Sequence, residues 1–229
     1  MPELDEVIYF TFGRIKRMLK FKDMYIFRWI ISIIFCLFTM LSGSYGRAEQ
    51  SGPSGVISKF SSTLIDSMKR ARELGYQGRY QLLDPTIKDS FALSYMAGIS
   101  LGKYWKTLSE KDKHLLLETY TAWTIATYAG RFDDYSGEKF ELISESAPDH
   151  DTVTVISSLI ESDNKKTDFY YKLRKIDGKW RIVDIQISGV SQLALTRSQF
   201  TSVMDRKGFS ALISMLKEKI KNFSERKAD

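Results

Sequence analysis

Apolar positions along the chain follow two different periods. Over residues 56–75 they recur at Ile57, Phe60, Leu64, Met68 and Ala71, the three-and-four spacing of a helix with one buried face. Gly75 is placed to stop it. Asp84-Pro85 joins an acidic N-cap to a first-turn proline and predicts a short helix opening there. Leu93, Met96, Ser100 and Tyr104 mark a third helix, ending near Trp105. Ser109-Glu110-Lys111-Asp112 resembles a capping box and starts a fourth. The stripe of that helix is Leu116, Tyr120, Trp123 and Thr127, and Gly130 is expected to close it.

After Gly137 the period becomes two. Phe140, Leu142 and Ser144 alternate in a first strand, Pro148-Asp149 turns the chain, and residues 152–161 are rich in β-branched side chains. Residues 162–166 form the next turn. Strands three and four meet at Asp177-Gly178, the dipeptide suited to a type I′ hairpin turn, in which both central residues take φ > 0. Pairing outward from that turn puts Phe169, Tyr171 and Leu173 on one face with Trp180 and Ile182. The same register adds Asp184 to that face. Two helices close the chain, over residues 190–206 (Leu193, Arg197, Phe200, Met204) and, after Gly208, over residues 209–223. Short connections between consecutive strands imply an antiparallel meander. The expectation is an α+β fold: a four-stranded twisted antiparallel sheet, NTF2-like or cystatin-like in appearance, partly enclosed by about six helices, with an apolar pocket.

The sheet carries more apolar positions than one buried face needs. Val153, Val155 and Leu159 oppose Ile156 and Ile160 in strand two; Trp180 and Ile182 oppose Val183, Ile185 and Ile187 in strand four. A sheet with one wet face alternates cleanly, so this one is expected to be partly buried on both faces, wrapped by the terminal helices. The surplus fits an ordinary packed core, and it equally supplies wall for a cavity.

The N-terminus bears on compartment. Residues 29–41 (WIISIIFCLFTML) are uncharged and apolar, preceded by Lys22 and Arg28 and followed by Ser42, Gly43, Ser44 and Gly46-Arg47-Ala48. At about 13 residues this run falls short of the roughly 20 that a spanning helix requires. It matches a signal-peptide core with a small-residue cleavage site after Gly46 or Ala48; an uncleaved anchor is the alternative. The segment before it is long for such a leader, so Met18 or Met24 is an alternative start. Residues 1–48 are thus read as an N-terminal extension and signal peptide, and 49–229 as a single domain exported to the periplasm. Cys36, the one cysteine, would leave with the leader, so the domain would hold no disulfide, thiol nucleophile or cysteine-based metal site. The net charge is +6, of which residues 1–46 contribute six basic and four acidic side chains. The remaining charges are interspersed, with no basic block, so no nucleic-acid partner is expected.

Candidate chemistry is sparse. His114 stands at a charged helix start, Asp149-His150-Asp151 occupies a turn, and Asp133-Asp134 and Asp163 lack partners at ligand spacing. No metal site, catalytic set or cofactor is expected. Asp184 is the exception to weigh: in an NTF2-like cone it would be a general base, whereas the plainer reading makes it a carboxylate bonded to a helix N-terminus or a tyrosine. An exported protein-interaction module is a further alternative.

The ordered combination Gly102-Lys103-Tyr104-Trp105, Leu108-Ser109, Thr127-Tyr128-Ala129, Tyr171-Lys172-Leu173-Arg174, Asp177-Gly178-Lys179-Trp180, Asp184, Gly189-Val190-Ser191, Arg197, Ser198-Gln199-Phe200 and Gly208 is similar to the MlaC family. The likeness runs over about residues 55–222. Residues 189–194 (GVSQLA) and 131–138 (RFDDYSGE) look closest to its hopanoid-biosynthesis-associated HpnM branch. No enzyme activity is expected, and nothing in the sequence demands more than a monomer; the resemblance implies a periplasmic lipid carrier. It would take the acyl chains of a phospholipid, or a hopanoid, into an apolar pocket. It would shuttle that cargo between the outer membrane and an inner-membrane ABC transporter. Its partners would be an MCE-domain transporter complex and an outer-membrane lipoprotein complex. On this reading the lining candidates are Phe91, Met96 and Trp105; Tyr120, Trp123 and Tyr128; Val155, Leu159, Phe169, Tyr171, Leu173 and Ile182; and Leu193, Phe200 and Val203. Lys103, Arg131 and Arg197 are candidates for a headgroup rim.

Overall fold

A computed structural model describes residues 52–225. The signal-peptide and boundary readings for residues 1–48 lie outside the described residues. In chain order the elements are α1 (Pro53–Lys69), α2 (Ala71–Ser90), α3 (Leu93–Leu101), a 3₁₀ segment (Gly102–Thr107), α4 (Glu110–Arg131), strands β1 (Lys139–Glu145), β2 (Thr152–Ile160), β3 (Lys166–Ile176), β4 (Lys179–Ile187) and β5 (Val190–Ser191), and α5 (Gln192–Glu225). The class is α+β, as expected. The sheet is an antiparallel meander in the order β1-β2-β3-β4-β5. Its fifth strand, two residues long, was not anticipated; it folds back on β4 through Gln186–Ser191 and Ile187–Val190 pairs.

Helix α1 buries Ile57, Phe60, Leu64 and Met68, the stripe that its spacing predicts. The break falls earlier than Gly75: Arg70 leaves helical geometry first, and Gly75 makes a second kink inside α2. Asp84-Pro85 opens no new helix. Pro85 lies within α2, where its exposed side keeps the ring away from the core. Ser109 does cap α4, its Oγ accepting the Asp112 N–H at 3.1 Å. Gly130 does not end that helix, which runs on to Arg131. Its lack of a side chain serves packing instead, since a Cβ there would come within 3.0 Å of Phe223 Cβ. Gly208, at φ 78° and ψ −177°, divides α5 into the two helices expected.

The Asp177-Gly178 turn has φ of 50° and 76°, as a type I′ hairpin requires. Leu173 then pairs with Ile182, but a bulge follows: Lys172 faces Asp184, Tyr171 faces Ile185 and Phe169 faces Ile187. Two expectations are corrected by that extra residue. Ile185 and Ile187 join the face of Tyr171 and Ile182, and Asp184 pairs with Lys172, off that face. A bulge shifts the side-chain alternation by one position, which uninterrupted counting from the turn misses.

The helices pack against the face formed by Val153, Val155, Tyr171, Leu173, Ile182 and Ile185, all buried. A short bridge fixes the layer spacing: Ala92 donates its N–H to the Ile182 carbonyl at 2.9 Å, setting Phe91 beside β4.

Candidate functional site

Helix α1 lies antiparallel to the edge strand β1 and is fastened to this side of the fold at both ends. At one end the Ser54 N–H reaches the Glu145 carboxylate at 3.0 Å, joined by the Ser54 hydroxyl. At the other, Lys69 Nζ sits 5.3 Å from the centre of the Tyr135 ring, in the segment that leads into β1. Between these ties the helix and strand stand apart, and a cleft of about 600 Å³ opens. That volume lies within the roughly 300–1,000 Å³ typical of small-ligand sites.

The walls of the cleft are graded. Ser58, Ser62, Lys69, Lys139 and Leu142 are exposed at the rim, whereas Ile57, Ser61 and Ser157 are buried at the floor. The rim is charge-balanced by Asp66 and Glu138. The Glu138 carboxyl is held below the usual range: burial would raise it, but Ser136 outweighs this with its N–H at 2.7 Å and its hydroxyl at 2.8 Å. Lys139 is drawn to Glu141 at 2.6 Å, and Asp66 to Arg70 at 3.4 Å. A bulge between Leu142 and Ser144 leaves Leu142 and Ile143 about half exposed beside the opening.

An unbroken row of aromatic rings leads from the cleft into the core. Phe140, on the cleft wall, lies 6.1 Å from Phe169, which stacks on Tyr171 at 6.0 Å. Tyr171 meets Phe60 edge-on at 6.5 Å, and Phe60 meets both Phe91 and Tyr128 edge-on at 5.1 Å. Burial drives the Tyr128 and Tyr171 hydroxyls far above the ordinary tyrosine range, helped by Tyr120 in the first case and by Tyr128 in the second. This interior disfavours charge.

The residues expected to line a pocket divide into three groups. Phe91, Tyr128, Phe169 and Tyr171 belong to the aromatic row, and Val155, Leu173 and Ile182 pack around it. Tyr120, Trp123 and Phe200 form a second cluster with ring spacings of 5.5–6.2 Å, flanked by the half-buried Leu193 and Val203. The Tyr120 hydroxyl there is pushed up to about 12, mainly by burial. Met96 is buried, Trp105 covers Gly98 so that a Cβ there would meet its ring at 3.4 Å, and Leu159 is half-buried, paired with Phe140. None of the fifteen is on the cleft wall itself.

The three rim candidates are exposed and none of them lines the cleft. Lys103 pairs with Asp205 at 3.5 Å, the Arg197 guanidinium covers Gly102, and Arg131 ends α4. Sequence reasoning missed the polar side of α1: Ser58, Ser61, Ser62, Ile65 and Lys69 share a helix face. That signal was present, but serines at such spacing look like any solvated surface.

Asp184 is occupied structurally. Its Oδ1 accepts the N–H of Ile185 at 2.8 Å and that of Leu193 at 3.1 Å, in the first turn of α5. His114 and His150 are exposed beside Glu118 and Asp149. Among the described residues no group of His, Cys, Asp and Glu is arranged to hold a metal. Nor is any described helix long and apolar enough to cross a membrane.

Comparison with known proteins places this geometry. Residues 58–218 match the family model described as MlaC protein. The intermembrane phospholipid transport system binding protein MlaC of Haemophilus influenzae is 25% identical over 130 residues, 55% of this chain. The chain spans 61% of the length of that curated relative. A phospholipid-binding protein from Ralstonia solanacearum, solved in complex with a phospholipid, has the same fold: the TM-score is 0.64 at 21% identity, covering 75% of this chain and 96% of that one.

Proposed function

The chain belongs to the MlaC family, and from that premise we propose that it is a periplasmic carrier of phospholipid between membranes. The observation that carries this reading is the aromatic row running from the α1–β1 cleft to the centre of the core. Each methylene withdrawn from water is worth about 0.8 kcal/mol, so an acyl chain crossing an aqueous space unprotected costs on the order of 10 kcal/mol. A carrier removes that cost with an apolar interior reached through a mouth that tolerates a polar headgroup. The cleft supplies such a mouth, with hydroxyls and charges at its rim and Phe140 leading inward. No bond is made or broken in this task, and the groups described above are suited to partition rather than to acid–base work.

An inner-membrane MCE-domain transporter complex and an outer-membrane lipoprotein complex are the two partners that this reading implies. The HpnM-like segments at residues 131–138 and 189–194 make a hopanoid the competing cargo. The test is extraction of lipid from protein purified after expression of the full chain, followed by mass spectrometry. Co-purifying phospholipid is the expected result. Protein that carries none, and takes none up from phosphatidylglycerol–phosphatidylethanolamine vesicles, would overturn the reading.

A further inference from the structure

Ser61 stands in an unusual position for a serine. It is only 6% exposed, it lines the cleft, and its Oγ has no hydrogen-bond partner among the described residues. Its neighbours Ser62 and Thr63 each donate their hydroxyl to the Lys59 carbonyl at 2.9 Å, the usual outlet for such groups on a helix. A buried hydroxyl left unpaired costs about 1–3 kcal/mol. Ser67 Oγ and Tyr76 Oη are also unpaired, but neither lines the cleft. Of the three, Ser61 is the one that an incoming ligand would meet. On the facing wall, β2 presents Ser157, 2% exposed, so the floor is polar on both sides while Ile57 and Phe140 beside it are apolar.

We propose that Ser61 donates a hydrogen bond to an acyl-ester carbonyl of a glycerophospholipid, and that ester-linked glycerolipid is therefore the cargo class this cleft selects. The assignment rests on the carrier reading above. Its support is one of order. From outside inward the protein presents exposed lysines and serines (Lys69, Lys139, Ser58, Ser62), then buried hydroxyls (Ser61, Ser157) beside the half-buried Phe140, whose aromatic row ends at the fully buried Tyr171 and Phe60. A glycerophospholipid presents a phosphate, then ester oxygens, then hydrocarbon. The rim cannot supply this selection by charge, because Asp66 and Glu138 balance its two lysines. The pentacyclic body of a hopanoid would lay hydrocarbon against the Ser61 hydroxyl and leave it unpaired, the costly arrangement.

The experiment measures uptake and retention by the purified protein of dipalmitoyl phosphatidylglycerol, its diether analogue and the hopanoid diplopterol, each from vesicles, for wild type and Ser61→Ala. Wild type is expected to retain the diester about five- to tenfold better than the diether, the range one such hydrogen bond provides. Ser61→Ala is expected to abolish that gap by weakening diester retention alone, with no loss of thermal stability. Equal retention of diester and diether by wild type, an unchanged gap in Ser61→Ala, or diplopterol held in preference to the diester would each overturn the assignment. The phospholipid-carrier reading survives those results as long as glycerolipid is taken up, because it fails only if the wild type takes up neither the diester nor the diether.

Discussion

The carboxylate of Asp184 reaches the backbone N–H of Leu193 at 3.1 Å, tying the bulged strand β4 to the first turn of α5. A carboxylate at a helix N-terminus satisfies an orphan donor and meets the positive end of the helix dipole. Asp184 also accepts from Ile185, so one side chain fixes both the strand bulge and the entry to the final helix.

Removing that carboxylate therefore acts on folding. Asp184→Ala should lower stability by about 1–2 kcal/mol, while Asp184→Asn, which keeps an acceptor oxygen, should lose less. Urea unfolding measures both. If Asp184 did carry a reaction instead, the Asn variant would be the damaging one for turnover with stability intact.

Gly130 faces Phe223 across the α4–α5 packing. Gly130→Ala gains helix propensity yet must displace the ring, and the net expectation is a loss of about 1–2 kcal/mol. Hydrogen exchange should show residues 209–225 losing protection ahead of the sheet. Unaltered exchange there would show that the ring moves aside freely.

Filling the cleft should block cargo without unfolding the protein. Ile65 is half-buried on the cleft wall, outside the fully buried core stripe of α1. Ile65→Trp is expected to reduce phospholipid occupancy severalfold, read by native mass spectrometry, with an unchanged circular dichroism spectrum. A fully loaded, folded variant would exclude this opening as the route in.

The Glu138 carboxyl, held below its unfolded value by Ser136 against the opposing effect of burial, stabilises the fold when ionised. That contribution is complete above the ordinary glutamate range and disappears as pH falls through the depressed folded value. Wild type should thus be more stable than Glu138→Gln at neutral pH and lose the advantage on acidification. Parallel melting curves from pH 7 to pH 3 give the comparison.

Much of the architecture was legible because it is local. The α1 stripe, the Ser109 cap, the Asp177-Gly178 turn and the break at Gly208 each depend on residues within one turn of chain. The aromatic lining candidates are buried or half-buried, as period and size imply, but none of them borders the cleft. Errors arose where distant contacts decide. Pro85 sits inside α2, on its exposed side, while Leu83, Thr86 and Ile87 around it are buried. Gly130 was taken for a stop, and its function comes from a ring more than ninety residues away. Asp184 changed face through a single bulged residue.

The amino-acid sequence by itself determined the α+β class, the meander, its hairpin and the inventory of a large apolar interior, because periodicity and turn chemistry are properties of neighbouring residues. Only the tertiary structure decided where that interior meets water. The opening lies between α1 and β1, elements joined at their ends by Ser54–Glu145 and Lys69–Tyr135 and separated by about seventy residues along the chain. A cleft is the space between two surfaces, and no spacing within either segment encodes the gap to the other.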